Sequence, residues 1–351
     1  MTEECLLEID GAHGEGGGQL LRTAAALSVV TGRPLRMVNI RARRAKPGLA
    51  PQHLTAVRAL AAVCGAEVEG LVLESQEIRF RPGPVRPGAY AFDVGTAGSI
   101  ALVLQALLPA AISSGEAFAF QLRGGTDVRG APPMDYLRHV LLPLLERMGA
   151  RFALDIVRRG YYPRGGGEVR LRIYPCRGLR PLLLDAPGRL REIRGHVHVA
   201  NLPEHIARRM AAAAHEVVGA DARIATLVLG PDSAIGMGGG ILLTAQCERT
   251  VLGASALAQR GVPAERLGET AGRELRAALE SGATLDVHAA DQLPVYMALA
   301  DGPSCFRAQR LSLHAETALW LIQQFLPITA RVAPEGQCVK VTVTPGRARR
   351  E

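Results

Sequence analysis

Aromatic residues are scarce in this 351-residue chain, at 4% with a single tryptophan. Its 48% of hydrophobic residues must therefore pack as aliphatic side chains and alanine, in enough length for two domains. Lysine is almost missing: Lys46 and Lys340 are the only two. Neither lies in a K-x-D-G sequence, which excludes a lysyl adenylate of the kind ordinary nucleic-acid ligases form. The six cysteines (Cys5, Cys64, Cys176, Cys247, Cys305, Cys338) include no C-x-x-C pair. That spacing suits reduced thiols better than a disulfide framework or a zinc site. No apolar run is long enough to span a bilayer, and the acidic opening "MTEECLLEID" lacks the basic start and apolar middle of a signal peptide. A cytoplasmic protein without a membrane partner is expected.

What the chain has in excess is positive charge, a formal +8. A basic surface points to a polyanionic partner, nucleic acid first. The arginine-for-lysine bias is the competing explanation, because it gives the same charge with no partner at all.

Apolar periodicity shows a repeated order. Helices are predicted at 18–31 and 51–64, with strands at 35–41, 66–73 and 76–81. The order recurs as helix 97–112, strand 117–123, helix 133–148 and strands 151–158 and 168–174. Gly65 and Gly149 mark equivalent helix ends, where glycine suits a left-handed cap. A third unit reads as helix 291–300, strand 304–310, helix 314–326 and strands 328–333 and 337–343. Residues 186–280 have another rhythm: strand 192–199, helix 203–218, strands 222–229 and 239–247, helix 263–280. The expectation is an α/β (α+β) protein: repeated β-α-β-α-β-β units over 1–185 and 281–351 form a large domain, and 186–280 form a smaller inserted α/β domain.

"HGEGGGQLLR", His13 to Arg22, follows a short apolar run and opens a helix. Strand, glycine loop and helix make the sequence shape of an anion cradle; a tight turn of structural use only explains the pattern equally well. The loop is neither G-x-x-x-x-G-K-[ST] nor G-x-G-x-x-G, and "NIRARRAK" offers no acid for a ribose. Glu15 is unfavourable beside an anion unless a cation intervenes, and a magnesium ion on nucleotide phosphates would resolve that. Arg22, a turn further on, would reach the same phosphates. The second glycine cluster, "YYPRGGGEV", reads better as a glycine-rich hairpin.

Candidate nucleophiles are few. G-x-S-x-G and H-E-x-x-H are missing. His196 and His198 alternate on one strand face and are read as a surface strand, lacking an obvious third metal ligand. His314 opens the helical stretch "HAETALWLIQQFLP". A helix N-terminus disfavours the imidazolium, and a neutral imidazole keeps the lone pair a nucleophile needs. A histidine merely filling a first helical turn is the alternative.

Taken together, "DGAHGEGGGQLLR", "RARRAKPGLAPQHLTA", "DVGTAGSIALVLQALLP", "RGGTDVRGAPPMDY", "YYPRGGGEV", "HAADQLPVYMALADG" and "LHAETA", in this order, resemble the RNA 3′-terminal phosphate cyclases over nearly the whole chain. The resemblance implies three β-α-β-α-β-β repeats with a smaller domain inserted before the third. It implies ATP-dependent conversion of an RNA 3′-phosphate to a 2′,3′-cyclic phosphate through a histidyl-AMP and an RNA-adenylate, with His314 as the catalytic histidine. Glu15 would hold a divalent metal (Mg2+ or Mn2+). Arg22, Arg41, Arg44 and Lys46 would meet phosphate or RNA. Gln105, Pro132 and the stretch His288, Ala289, Ala290, Asp291 and Gln292 would line the ATP pocket. His288 stands where many relatives have tyrosine, and Ala50-Pro51 where some have a more polar pair. A non-catalytic branch that binds RNA in ribosomal-RNA processing lacks the histidine, so His314 argues for the enzyme. An enolpyruvyl transferase, built from similar repeats, is a third reading that needs neither ATP nor a histidine adenylate.

Overall fold

The computed structural model describes residues 6–346. The first unit runs β1 (Leu7–Asp10), α1 (Gly18–Thr31), β2 (Leu35–Val38), α2 (Pro51–Cys64), β3 (Glu67–Glu69) and β4 (Ile78–Arg81), its sheet ordered β1-β2-β4-β3. Alternation sets its inner face: β2 buries Leu35 and Met37, β4 buries Ile78 and Phe80, and the outward Arg36 pairs with Glu8 and Glu77. Gly65 ends α2 in the left-handed conformation, as its position predicts.

The second unit repeats this order as β5 (Gly88–Asp93), α3 (Ile100–Ser113), β6 (Phe118–Gly124), α4 (Met134–Tyr136), a π-helical turn (Leu137–Leu141), α5 (Leu142–Arg147), β7 (Phe152–Gly160) and β8 (Gly167–Ile173). Periodicity assigns no strand to 88–93, where β5 pairs in parallel with β6. Helix α3 is apolar almost all round and is buried accordingly. Its mid-helix exception is Gln105, whose amide reaches Gln292 at 2.7 Å. The "YYPRGGGEV" segment is the hairpin between antiparallel β7 and β8.

The next stretch holds β9 (Leu190–Ala200), α6 (Glu204–Val218), β10 (Arg223–Leu229), β11 (Ala234–Ile235), β12 (Gly238–Cys247), β13 (Val251–Leu257) and α7 (Ala264–Glu280). Four of these strands form a sheet in the order β10-β9-β12-β13. Helices α6 and α7 lie against it over an apolar cluster of its own, with Val199, Met210, Leu243 and Leu275 at the centre. The two-residue β11 leaves that sheet and pairs with β7 of the second unit. The third unit closes the chain with α8 (Val287–Ala298), β14 (Ser304–Ala308), α9 (Leu313–Phe325), β15 (Ile328–Glu335) and β16 (Cys338–Pro345). Isolated parallel bridges join Leu179 to Ala300 and Leu183 to Cys305. The chain therefore touches the third unit both before and after the 190–280 stretch.

The three repeated units share one core. Helix α1 packs on α2, α3 and α9, which puts helices inside and sheets outside. The mixed α/β architecture agrees with the sequence expectation. Cys64, Cys176, Cys247, Cys305 and Cys338 are all free and buried, and Cys5 lies outside the described residues. Among the described residues, no helix is long and apolar enough to cross a membrane.

His198 corrects the surface-strand reading of β9. It is buried beside Asp127 and Asp135, while His196 stacks on His139 at 4.1 Å. Two carboxylates and an imidazole resemble a metal site, but Arg159 already occupies it. Its guanidinium donates to Asp135 at 2.7 and 2.8 Å and to Asp127 at 3.2 and 3.3 Å. A buried cation thus neutralises the acids in place of a metal. Burial lowers the His198 pKa and keeps the ring neutral.

Candidate active site

The glycine loop and helix α9 build one end of a cleft of about 1090 Å³. Gly14 takes a positive φ and lies against Thr317, whose Oγ1 a Cβ would meet at 2.2 Å. The same Oγ1 accepts the Glu15 N–H at 3.0 Å and donates to Leu313 O at 2.6 Å. The loop is thereby bonded to the helix that carries His314, and glycine alone lets them approach so closely. His13 stacks on Trp320 of the same helix, ring centroids 3.6 Å apart. Helix α1 begins after Gly17 with no side-chain cap, so its first N–H groups remain available to an anion.

His314 and Glu15 face each other, Nδ1 to Oε2, at 3.6 Å. Both atoms are buried and lack a hydrogen-bond partner. The ring as a whole is half exposed, which leaves Nε2 as the nitrogen free to meet a reactant. Burial lowers the His314 pKa, and Arg44 and Arg22 add to the shift against a raising pull from Asp291. The imidazole is therefore neutral near pH 7, as its place in the first turn of α9 predicts. Ser312 caps that helix by accepting from Ala315 N at 3.1 Å, and its hydroxyl donates to Asp291.

Arginines surround this pair. Arg44 forms an ion pair with Glu15. Arg41 donates to Gly48 O at 2.7 Å. Arg22 is buried with Nε unpartnered; burial brings it down to about 10, and it stays charged. His53 lies beneath Gly18, where a Cβ would meet its Nε2 at 2.2 Å. Its Nδ1 accepts from Ala50 N at 3.1 Å, so the proton of the neutral ring sits on Nε2. Burial, helped by Arg22 and Arg41, pushes its pKa down to about 3.

Helices α3 and α8 supply further lining of the cleft. Leu102, Gln105, Pro132, His288, Asp291 and Gln292 line it. Asp286 caps α8, its Oδ1 accepting from His288 N and Ala289 N at 3.0 Å each. Tyr136 O–H donates to the same oxygen at 2.6 Å, and Gly253 N–H donates to Oδ2 at 2.9 Å. One carboxylate thus joins the second unit, strand β13 and the helix bearing His288. The Tyr136 ring meets His288 edge-on.

The cleft gathers most of the residues that the sequence singles out: Glu15, Arg22, Arg41, Arg44, Gln105, Pro132, His288, Asp291, Gln292 and His314. Three stand apart. Ala289 and Ala290 are buried on the core side of α8, and Lys46 is exposed and outside the cleft lining. Sequence reasoning missed Gln19, Gln52, His53, Arg129, Arg266 and Ser312, which also line it. Of these, only His53 carried a local signal, its place in the first turn of α2 behind Pro51. Glu15 is the residue best suited to a divalent cation. A buried carboxylate oxygen without a partner is a ready ligand, and one carboxylate with substrate phosphates and water is a donor set that magnesium accepts.

The sequence profile of the RNA 3′-terminal phosphate cyclase family matches residues 13–332. The chain belongs to this family. A relative of that name from Nitrosospira multiformis is 56% identical, over 96% of each chain. One from Methanopyrus kandleri is 44% identical over 97% of this chain and 99% of its own, and one from Ignicoccus hospitalis 46% identical over 92% and 93%. Among solved structures, the enolpyruvyl transferase NikO from Streptomyces tendae aligns with 97% of this chain and 83% of its own, at 13% identity and a TM-score of 0.27. That likeness is too distant to argue from.

Proposed function

We propose that this protein is an ATP-dependent RNA 3′-terminal phosphate cyclase, acting through a histidyl adenylate on His314. The observation that carries the reading is a neutral, cleft-facing imidazole at the edge of an arginine-rich pole, in a chain whose family members bear that name.

His314 Nε2 attacks the α-phosphorus of ATP, and the bond to the β-phosphate oxygen breaks with release of pyrophosphate. An oxygen of the RNA 3′-phosphate then attacks the same phosphorus, and the P–N bond breaks to return the imidazole. The adjacent 2′-hydroxyl attacks the 3′-phosphorus, loses its proton and expels AMP as the ring closes. A bare phosphate oxygen is a poor leaving group and AMP a good one, so covalent transfer divides one hard displacement into easier steps. The need for a 2′-hydroxyl restricts the substrate to RNA ends.

The chain's own residues chiefly position and neutralise, which is most of what phosphoryl transfer demands. Arg22, Arg41 and Arg44 would hold phosphate oxygens, and neutral His53 would donate Nε2–H beside them. Gln105, Pro132, His288, Asp291 and Gln292 would seat the nucleotide. Glu15 would hold a Mg2+ or Mn2+ ion, which supplies charge neutralisation on the phosphates when bound. We also read residues 186–280 as an inserted domain, supported by its separate apolar cluster, and the protein as cytoplasmic.

Mass spectrometry after incubation with ATP and magnesium tests the reading. One AMP adduct is expected, mapping to His314 and missing in His314→Ala. An adduct elsewhere, or equal labelling of the variant, overturns it. A folded wild-type protein that never labels would be a binder in place of an enzyme.

A further inference from the structure

The cleft holds more than the proposed reaction has used. The cleft of about 1090 Å³ has a lining beyond the residues assigned to the reaction. One wall comes from the inserted stretch, where Ser255, Gln259, Arg266 and Thr270 face the cleft, and Arg129 lines it from the loop after β6. Neither Arg129 nor Arg266 has an ion-pair partner among the described residues, and both are exposed. Their neighbours' acids are already committed. On α7, Glu265 pairs with Arg209 and Glu269 with Arg273. The next acid on the Arg266 face, Glu274, is two turns away, in the field of His288 and Arg310. Beside Arg129, Asp127 is held by Arg159. The fold therefore leaves two uncompensated guanidinium groups in the lining of one cleft, supplied by elements other than those that carry the Glu15 and His314 pole.

We infer that Arg129 and Arg266 form a second anion subsite, which binds the phosphodiester backbone of the RNA upstream of its reacting 3′-phosphate. This rests on the cyclase reading above. The terminal phosphate must lie by His314, among Arg22, Arg41 and Arg44. A chain leading away from there carries one charge per nucleotide, and guanidinium groups suit phosphate oxygens. The uncharged Ser255 and Gln259 beside them fit sugar and phosphate oxygens, which carry no sequence information. The inserted stretch would then favour a polynucleotide end over a free nucleotide.

The test compares equilibrium binding of a short 3′-phosphorylated oligoribonucleotide, a nucleoside 3′-phosphate and ATP to wild type and to the Arg129→Ala/Arg266→Ala double variant. The expected result is a loss of at least tenfold for the oligonucleotide. That loss should exceed those for the nucleoside 3′-phosphate and ATP by a similar factor. The salt dependence of oligonucleotide binding should flatten by about 0.7 for each phosphate contact removed. Arg129→Lys/Arg266→Lys should recover part of the affinity, since the charge is kept. Equal losses for all three ligands, a larger loss for ATP, or no loss at all would overturn the subsite. Because binding is read without turnover, a protein that fails to label with AMP but keeps this chain-length discrimination would sink the cyclase reading and leave the subsite standing.

Discussion

At the scale of single residues, His53 resists protonation where it lies. It is buried under the glycine loop beside Arg22 and Arg41, with its pKa pushed down to about 3 from an ordinary 6.5. The unfolded chain therefore binds a proton that the folded one refuses between those two values. Stability contributed by the neutral ring is present above pH 6.5 and is lost as pH falls through that window, at up to about 1.4 kcal/mol per pH unit. Urea unfolding at pH 7 and pH 5 measures this. His53→Gln should show the shallower pH dependence of the two proteins, and identical slopes would mean that the ring is protonated in the fold. The same burial that costs acid stability fixes a hydrogen-bond donor beside the phosphate pole without adding a charge to it.

At the scale of elements, the start of α8 depends on residues far away in sequence. Asp286 is held by Tyr136 of the second unit and by Gly253 of β13, and it orders the turn that presents His288 and Asp291. Tyr136→Phe removes one bond to a buried carboxylate, a loss of about 1.5–3 kcal/mol. A lower melting temperature is expected, together with a higher ATP concentration for half-maximal AMP labelling. A variant that melts lower while labelling with the wild-type ATP dependence would restrict the contact to stability. Gly253 explains why this junction tolerates no side chain: a Cβ there would lie 2.6 Å from Val140 and 3.1 Å from Tyr136.

At the scale of the molecule, what could be read from the sequence was whatever is encoded locally. The helices α1 and α2 match their predicted spans, 18–31 and 51–64, because apolar spacing, Pro51 and the capping glycines all act within a few residues. The strands β11 and β13 escaped prediction. One has two residues, and the other, "VLGASAL", mixes glycine and small residues with apolar ones in a pattern that no period marks. The short 179–184 segment that pairs with the third unit is likewise invisible until its partners are in place. In the cleft, His314, Glu15 and Arg22 were legible through motifs that lie on one loop and one helix. Arg266 was not, since nothing in α7 says which face another unit will oppose. His198 was misread for the same reason: alternation along β9 identifies a shared face, but not that Asp127, Asp135 and Arg159 cover it.

The stacking of His13 on Trp320 gives the protein a built-in optical reporter. Because the chain has a single indole and that indole lies against the glycine loop, its emission needs no deconvolution and no attached dye. Titration with ATP and magnesium should change the intensity or wavelength of that emission as the loop takes up its ligand, and stopped-flow mixing would time the event in the unmodified protein.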